Sequence, residues 1–209
     1  MKVKEVFRSL QGEGVLIGTP TVFIRTVGCN LDCEWCDTEY AKEGGEEMSF
    51  EQLLKKVEGL GARFVCLTGG EPLLQRDAVK LINKLVERCY HVTVETNGSI
   101  SLEDVPCAES VLISMDIKCP SSGMEEKMMF SNIELLSPAD QLKFIVADRR
   151  DLQYAEKIIE EYDPKCNVIF TPVGGLDLKP VAEFVLKKKI NARVLPQLHK
   201  LIWGDARGV

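Results

Sequence analysis

Three cysteines on one short segment place the strongest constraint on how this chain can fold and what it can bind. Cys29, Cys33 and Cys36 lie in GCNLDCEWCDT (28–38) with the spacing C-x3-C-x2-C. Thiols this close together can share a metal, can form one disulfide with one cysteine left over, or can be unrelated. Structural zinc normally takes four protein ligands, and iron–sulfur clusters are usually held by four cysteines. The segment therefore implies either a distant fourth ligand or a metal open to an outside ligand.

The composition is that of an ordinary globular protein. Of the 209 residues, 45% are hydrophobic and 28% charged, and the net charge is −6. We expect no nucleic-acid partner, because the charges form no basic stripe. We expect a cytoplasmic protein without membrane association, since no apolar stretch approaches a membrane span and the N-terminus does not resemble a signal peptide. Cytoplasmic thiols stay reduced, which favours metal binding over disulfides.

The other five cysteines are scattered singly along the chain, and none forms a second pair with metal-ligand spacing. We expect them to be buried core residues, because free cysteine is among the most buried residue types. His91 and His199 could in principle supply a fourth ligand, but His91 opens an apolar segment and is more typical of a packed residue. We therefore prefer a metal with one open position. The five cysteines are Cys66, Cys89, Cys107, Cys119 and Cys166.

Apolar, β-branched segments alternate with amphipathic segments along the chain, which predicts strands alternating with helices. This order is typical of one parallel α/β domain covering residues 1–209. A complete eight-stranded barrel typically needs about 250 residues, so we predict an open, partial parallel β/α barrel. The predicted strands are 3–8, 21–27, 63–68, 91–95, 111–116, 141–147, 167–171 and 192–197, and the predicted helices begin near 50, 75, 148 and 180.

Polar residues follow several predicted strands at their carboxyl ends, where parallel α/β folds bind ligands. Gln11 to Gly14 (QGEG) is either a plain turn or a binding loop. Arg25 interrupts an apolar strand, so it either faces outward or binds an anion. Gly69 to Pro72 (GGEP) is either a tight turn into a helix or a loop that approaches a cationic amine. Glu95, Asn97, Asp116 and Lys118 also follow strands.

The cysteine segment and GGEP together resemble the radical S-adenosylmethionine enzymes. That resemblance implies that Cys29, Cys33 and Cys36 hold one [4Fe-4S] cluster whose fourth iron binds S-adenosylmethionine, and that Glu71 lies in the motif near the methionine amine. No side chain is then the catalytic group, because a cofactor-derived 5′-deoxyadenosyl radical abstracts hydrogen.

A longer set of motifs makes the chain similar to the family of 7-carboxy-7-deazaguanine synthases. These motifs are SLQGEG, FIR, CEWCDT, LTGGEPLLQ, ETNG, IKCPSSGM and PQLHK. The resemblance implies a lyase that converts 6-carboxy-5,6,7,8-tetrahydropterin to 7-carboxy-7-deazaguanine with loss of ammonia, in queuosine or archaeosine biosynthesis. It also implies Mg2+, a homodimer, and an electron donor such as flavodoxin or ferredoxin.

The same resemblance assigns residues to the ligands. Thr38 would bind Mg2+, since a hydroxyl oxygen suits that ion, and Arg25 would suit the pterin carboxylate. The implied substrate residues are Leu10, Gln11, Gly12, Glu13, Arg25 and Thr68, and the implied S-adenosylmethionine residues are Trp35, Cys36, Asp37, Gly70, Glu71, Asp116, Ile117 and Lys118.

Two alternatives remain at this point. One is another radical enzyme, such as an activase that places a radical on a partner protein, which shares the cysteine spacing. The other is a non-catalytic metal-binding module, which would not cleave S-adenosylmethionine under reduction. The QGEG loop and Arg25 favour a small anionic substrate over the partner protein of an activase.

Overall fold

The computed structural model describes all residues 1–209 and contains one continuous sheet of nine strands. In spatial order the strands are β3, β1, β2, β4, β5, β6, β7, β8 and β9, so the sheet remains open. The strands are β1 (Lys2–Leu10), β2 (Pro20–Thr26), β3 (Glu46–Glu47), β4 (Phe64–Gly69), β5 (His91–Thr96), β6 (Val111–Lys118), β7 (Gln141–Val146), β8 (Asn167–Pro172) and β9 (Arg193–Val194).

The sheet is parallel from β2 to β9, which confirms the predicted α/β class with an open sheet. The first strand departs from that prediction, because β1 pairs antiparallel with β2 and β3 pairs antiparallel with β1. The chain reverses between β1 and β2 without a helical crossover, which only an antiparallel pair allows. The turn between them contains the QGEG segment.

Side chains on the central strands alternate between an apolar outer face and a polar inner face. On β6, Ile113, Met115 and Ile117 belong to the apolar core, whereas Asp116 and Lys118 line a cavity. Successive residues of a strand point to opposite faces, so a shift of one residue in register would exchange these sets. The helices cover the apolar face and leave the polar face as the inside of the partial barrel.

Five helices accompany the sheet: α1 (Phe50–Leu60), α2 (Ala78–Val86), α3 (Arg149–Tyr162), α4 (Leu178–Lys188) and α5 (Leu198–Trp203). Helix α1 begins at the predicted position with a capping box, in which the Ser49 hydroxyl accepts from Gln52 N–H and the Gln52 side chain accepts from Ser49 N–H. Helix α2 begins at Ala78 and not near 75, because Gln75 is extended at the end of a 3-10 helix over Pro72–Leu74.

The C-terminal segment differs most from the sequence prediction. The expected strand over 192–197 is only the two-residue β9, and the unpredicted helix α5 follows it. Gln197 leaves the sheet edge, where its N–H donates to the Gly175 carbonyl. The residues after α5 then line the cavity described below.

The scattered cysteines only partly follow the expected burial. Cys66 and Cys119 are fully buried and Cys166 is half-buried, whereas Cys89 and Cys107 are exposed, so the prediction of burial is wrong for those two. Cys89 has a left-handed backbone, with φ at 60°, in the turn after α2, and this turn carries its side chain to the surface. No helix has both the length and the apolar character needed to cross a membrane.

The outer apolar face should account for much of the stability. Phe144 is fully buried and its ring stacks on Phe170 with 5.3 Å between centroids. We expect Phe144→Ala to lower the free energy of unfolding by about 3–5 kcal/mol in urea titrations. Leu186, which is 77% exposed, is the matched control, and Leu186→Ala should change stability by less than about 0.5 kcal/mol. Equal effects of the two substitutions would contradict this packing.

Candidate functional site

One cavity of about 650 Å3 opens at the carboxyl ends of the parallel strands. It brings together most residues that the sequence implicates, from segments that are far apart in the chain. The predicted residues that line it are Leu10, Gln11, Gly12, Glu13, Arg25, Cys29, Cys33, Trp35, Cys36, Asp37, Thr38, Thr68, Gly70, Asp116 and Lys118.

Two residues assigned to the cofactor by resemblance do not line this cavity. Ile117 packs in the apolar core on the opposite face of β6, so only its backbone lies near the site. The Glu71 side chain is fully buried behind the cavity wall. Its carboxylate accepts from Thr96 Oγ1 at 3.0 Å and from the N–H groups of Asn97 at 2.6 Å and Leu73 at 3.0 Å. The structure therefore gives Glu71 a bracing position between two loops.

Gly70 allows the cysteine loop to lie directly against the GGEP turn. A Cβ atom at Gly70 would lie 2.3 Å from the Gly28 carbonyl oxygen and 2.7 Å from Cys29 Cβ. The Glu71 N–H also donates to the Gly28 carbonyl at 2.8 Å. Glycine is needed here because backbones approach too closely for any side chain.

The three loop cysteines lie together along one wall of the cavity. All three line the cavity and are half-buried, yet no group of three or more His, Cys, Asp or Glu side chains is arranged around one metal ion. The thiolates of a four-iron cluster bind different irons and therefore lie farther apart than the ligands of one ion. Burial raises the pKa of the Cys33 and Cys36 thiols, so metal binding would have to displace their protons.

Two polar groups hold the cysteine loop from outside. The Trp35 indole N–H donates to Ser121 Oγ at 3.1 Å, and the Ser121 hydroxyl in turn donates to the buried Asp151 carboxylate. The Asn97 side-chain amide lies 3.8 Å from Cys29 Sγ as a hydrogen-bond donor. The loop is therefore braced from α3 and from the end of β5.

Thr38 lies at the end of the loop, where its hydroxyl donates to the Asp37 carboxylate at 2.7 Å. Both residues line the cavity and remain accessible to solvent. Oxygen ligands of this kind suit Mg2+, which usually keeps several waters and binds only one or two protein groups. The pair could therefore contribute ligands, although it does not form a complete site.

Arg25 faces inward, and of the two interpretations of the sequence the structure favours the inner position. Its Nε donates to Glu5 Oε1 at 2.8 Å, and Tyr40 Oη donates to the same oxygen at 2.7 Å. Its guanidinium carbon lies 5.8 Å from the Tyr40 ring centroid. The two terminal nitrogens have no protein hydrogen bond, so they can bind a carboxylate through two parallel bonds.

A buried ion-pair network forms the floor of the cavity around Lys143. Its Nζ lies 2.7 Å from Glu13, 2.8 Å from Glu95 and 3.2 Å from Asp116. Lys118 pairs with Asp116 at 3.0 Å. Burial opposes ionisation of every member, but in most of them the ion pairs outweigh the effect of burial on the pKa. The pKa values of Glu13 and Asp116 are therefore lowered, and the pKa of Lys143 is raised well above its usual range. The exception is Glu95, whose pKa burial raises.

Sequence reasoning missed Lys143, Tyr40 and Gln197 as site residues and gave Glu95 no ligand role. Lys143 did carry a signal, because it is a charge within the apolar strand QLKFIVA, as Arg25 is within TVFIRTV. Tyr40 carried none, since it reaches the cavity from a short 3-10 helix after the cysteine segment, whereas Gln197 lies in the PQLHK motif but was given no role. Gln197 donates to Glu13 Oε1 at 2.7 Å.

Comparison with known sequences identifies relatives over the full length of the chain. The sequence profile of the Radical SAM superfamily matches residues 23–112. A 7-carboxy-7-deazaguanine synthase of Thermoplasma acidophilum is 39% identical over 100% of both chains. One from Methanospirillum hungatei is 43% identical over 97% of this chain and 85% of its own length.

Comparison of structures gives the same grouping. The crystal structure of QueE from Escherichia coli superposes with a TM-score of 0.76 and 25% identity, covering 95% of this chain and 94% of the other. Streptococcus suis SuiB bound to S-adenosylmethionine superposes with a TM-score of 0.60 at 12% identity, over 80% of this chain and 48% of its own. The second likeness concerns the fold alone.

Glu71 should leave a pH signature in stability. Burial raises its pKa from 4.5 to about 7, so the folded state binds its proton more tightly than the unfolded state. The stabilisation from that proton is complete below pH 4.5 and is lost as the pH rises through about 7. We expect the unfolding free energy of the wild type minus that of Glu71→Gln to fall by about 3 kcal/mol across this interval. A difference independent of pH would contradict the raised pKa.

Proposed function

The chain belongs to the 7-carboxy-7-deazaguanine synthase family, and from that premise we propose how its residues serve the reaction. As a member, it is a radical S-adenosylmethionine lyase that converts 6-carboxy-5,6,7,8-tetrahydropterin to 7-carboxy-7-deazaguanine with loss of ammonia. Because 7-carboxy-7-deazaguanine synthases match this chain over nearly its full length, both alternatives, a radical activase and a non-catalytic metal-binding module, are disfavoured. The observation that carries the assignment of residues is a single cavity that contains the three cysteines, Arg25 and the ion-pair network.

Cys29, Cys33 and Cys36 would hold the [4Fe-4S] cluster that the superfamily uses. When bound, the cluster and S-adenosylmethionine supply the radical that abstracts hydrogen from the substrate. The chain contributes position and shelter: Asn97 directs an N–H toward Cys29, and Ser121 fixes the orientation of the Trp35 ring. Hydrogen bonds to cluster sulfurs tune the reduction potential.

The residues of the cofactor side would lie beside the cysteine loop. Lys118 Nζ lies 5.6 Å from the Trp35 ring centroid and pairs with Asp116, so a charged and an aromatic group face the same space. We propose that Trp35, Cys36, Asp37, Gly70, Asp116 and Lys118 contact S-adenosylmethionine, with Ile117 contributing only backbone. Glu71 acts indirectly, because it braces the GGEP turn against β5.

The substrate would lie between Arg25 and the ion-pair network. The free terminal nitrogens of Arg25 suit the pterin carboxylate, and Glu13 and Glu95 offer acceptors for ring N–H groups. Thr68 faces this space from β4, beside Arg25 in the parallel register. Leu10, Gln11 and Gly12 complete the wall, and the Gln11 side chain accepts from the Gly12 N–H at 2.9 Å.

Several finer assignments complete the proposal. Thr38, supported by Asp37, would provide the protein ligand for Mg2+. The product would enter queuosine or archaeosine biosynthesis. Each chain would form a single domain, and the enzyme would be a cytoplasmic homodimer. A flavodoxin or ferredoxin would reduce it, because the cluster needs a low-potential electron. It would have no nucleic-acid partner.

The activity is tested by anaerobic incubation of reconstituted protein with the carboxytetrahydropterin, S-adenosylmethionine, Mg2+ and a reductant. We expect 7-carboxy-7-deazaguanine and ammonia to form in equal amounts, read by chromatography and an ammonia assay. Cleavage of S-adenosylmethionine without the deazaguanine product would contradict the lyase activity while leaving the superfamily assignment intact. Omission of Mg2+, and separately Thr38→Val, should each reduce the rate.

The cluster assignment predicts a clear loss on removal of one cysteine. Reconstituted wild-type protein should contain about four irons per chain, and Cys33→Ala should lose the iron, the visible absorption and the activity. Cys107 is exposed and distant from the cavity, so Cys107→Ala is the matched control and should retain all three. Full iron content and activity in Cys33→Ala would refute the assignment.

Arg25→Gln should weaken substrate binding while leaving the cluster intact. Loss of a charged hydrogen-bonding partner is worth about 1.5–3 kcal/mol, so we expect KM for the pterin to rise about tenfold to a hundredfold. Arg63 is an exposed arginine of the same sheet region, and Arg63→Gln should leave KM unchanged. An unchanged KM in Arg25→Gln, measured from initial rates, would remove Arg25 from the substrate site.

A further inference from the structure

Lys143 joins segments that would otherwise be independent parts of the site. Its side chain is 3% exposed, and its Nζ contacts carboxylates from three different segments. Glu13 comes from the loop after β1, Glu95 from β5 and Asp116 from the neighbouring β6, where it is the register partner of Lys143. No other cation of the chain makes ion pairs with three carboxylates.

The carboxylates around Lys143 lie on two sides of the cavity. Asp116 pairs with Lys118, and Lys118 Nζ lies over the ring of Trp35 in the cysteine loop, so Asp116 lies on the cofactor side. Glu13 accepts from Gln197, which follows the edge strand β9, far from β2 and its cysteine loop in the sheet order. Glu95 accepts from its register partner Ser114 at 2.7 Å, two residues before Asp116 and so deeper in the barrel. Lys143 is thus the only ion-paired link between the two sides.

The charges make this link strong. Three buried carboxylates face two ammonium groups, those of Lys118 and Lys143, so removal of one ammonium would leave three negative charges facing one positive charge. Charged groups removed from water need such partners, and loss of one partner leaves an uncompensated buried charge. The pKa of Lys143 lies well above its usual range because the carboxylates outweigh the effect of burial. The ammonium therefore remains charged at neutral pH and serves as a fixed cation.

Two oxygens of the network have no hydrogen-bond donor in the protein. Glu95 Oε1 and Asp116 Oδ1 are buried and accept no hydrogen bond from the protein, although the second lies in ion-pair range of Lys143. Buried acceptors normally have a donor. Each belongs to a carboxylate whose orientation Lys143 sets, one on each side of the cavity.

We propose that Lys143 is a positioning residue that holds Glu13 and Glu95 on the substrate side and Asp116 on the cofactor side in a fixed mutual arrangement, so that hydrogen abstraction stays coupled to ring contraction. It acts through the carboxylates and transfers no proton or electron. The inference rests on the proposed function for the identity of the two ligands, whereas the network itself does not depend on it. A misplacement of about 1 Å can reduce a rate about a hundredfold, so a small shift in this network would separate the two steps.

The test compares Lys143→Arg and Lys143→Met with the wild type, with Lys55→Met as the control for an exposed lysine. Folding is checked by thermal unfolding, because Lys143→Met leaves unpaired carboxylates and can fail to fold. Lys143→Arg keeps the charge but changes its shape, so it decides the question if the first variant does not fold. The readouts are the pterin Kd of the cluster-loaded protein by anaerobic calorimetry, KM and kcat separately, and 5′-deoxyadenosine released per deazaguanine formed.

We expect each folded Lys143 variant to bind the pterin about tenfold more weakly or worse and to release about tenfold or more extra 5′-deoxyadenosine per product. Lys55→Met should match the wild type in every readout. The proposal would be overturned if Lys143→Arg, and Lys143→Met where it folds, bound the pterin with wild-type affinity and released no extra 5′-deoxyadenosine per product. It would also be overturned if activity fell only in proportion to the fraction of folded protein. Wild-type protein that binds the pterin but forms no product would overturn the function instead, and the variant affinities would still decide the role of Lys143. A wild type that does not bind the pterin would overturn both.

Discussion

The alternation of side chains along the central strands is the constraint on which the rest of the structure depends. It directs apolar residues such as Phe144 and Met115 toward the helices and polar residues such as Asp116 and Lys143 into the barrel. A polar interior would be unfavourable if its groups were unpaired. The ion pairs around Lys143 satisfy most of them, and Glu95 Oε1 and Asp116 Oδ1 are the two oxygens of the network without a hydrogen bond.

The cysteine loop is held in place at the carboxyl ends of these strands. Gly70 brings the loop against the GGEP turn, while Glu71 anchors that turn to the end of β5. Asn97, which follows the same strand, donates its side-chain N–H toward Cys29 Sγ. The cysteine loop is therefore held by backbone contacts and by hydrogen bonds from neighbouring polar groups, which fix its position relative to the strand ends.

The sequence predicted the class of the fold and most of the residues that the structure brings together along the cavity, for identifiable reasons. Strands, the capping box at Ser49 and the cysteine spacing have local patterns, so they could be located without the structure. Predictions failed where the chain follows long-range contacts: the antiparallel β1, the short β9, and the exposed Cys89 and Cys107. Lys143 could have been found, since a lysine in a strand buried on both faces needs partners, but its three carboxylates come from separate segments whose meeting point no periodicity reveals.

A crystal structure of the cluster-loaded protein with S-adenosylmethionine and the carboxytetrahydropterin bound would test these assignments to the cysteines, Arg25 and the Lys143 network. We predict three cysteine ligands on the cluster, S-adenosylmethionine on the fourth iron beside Trp35 and Lys118, and the pterin carboxylate at the terminal nitrogens of Arg25 with its ring at Glu13 and Glu95. Lys143 should still contact all three carboxylates. A fourth protein ligand on the cluster, or a pterin bound away from Arg25 and Glu95, would contradict the account.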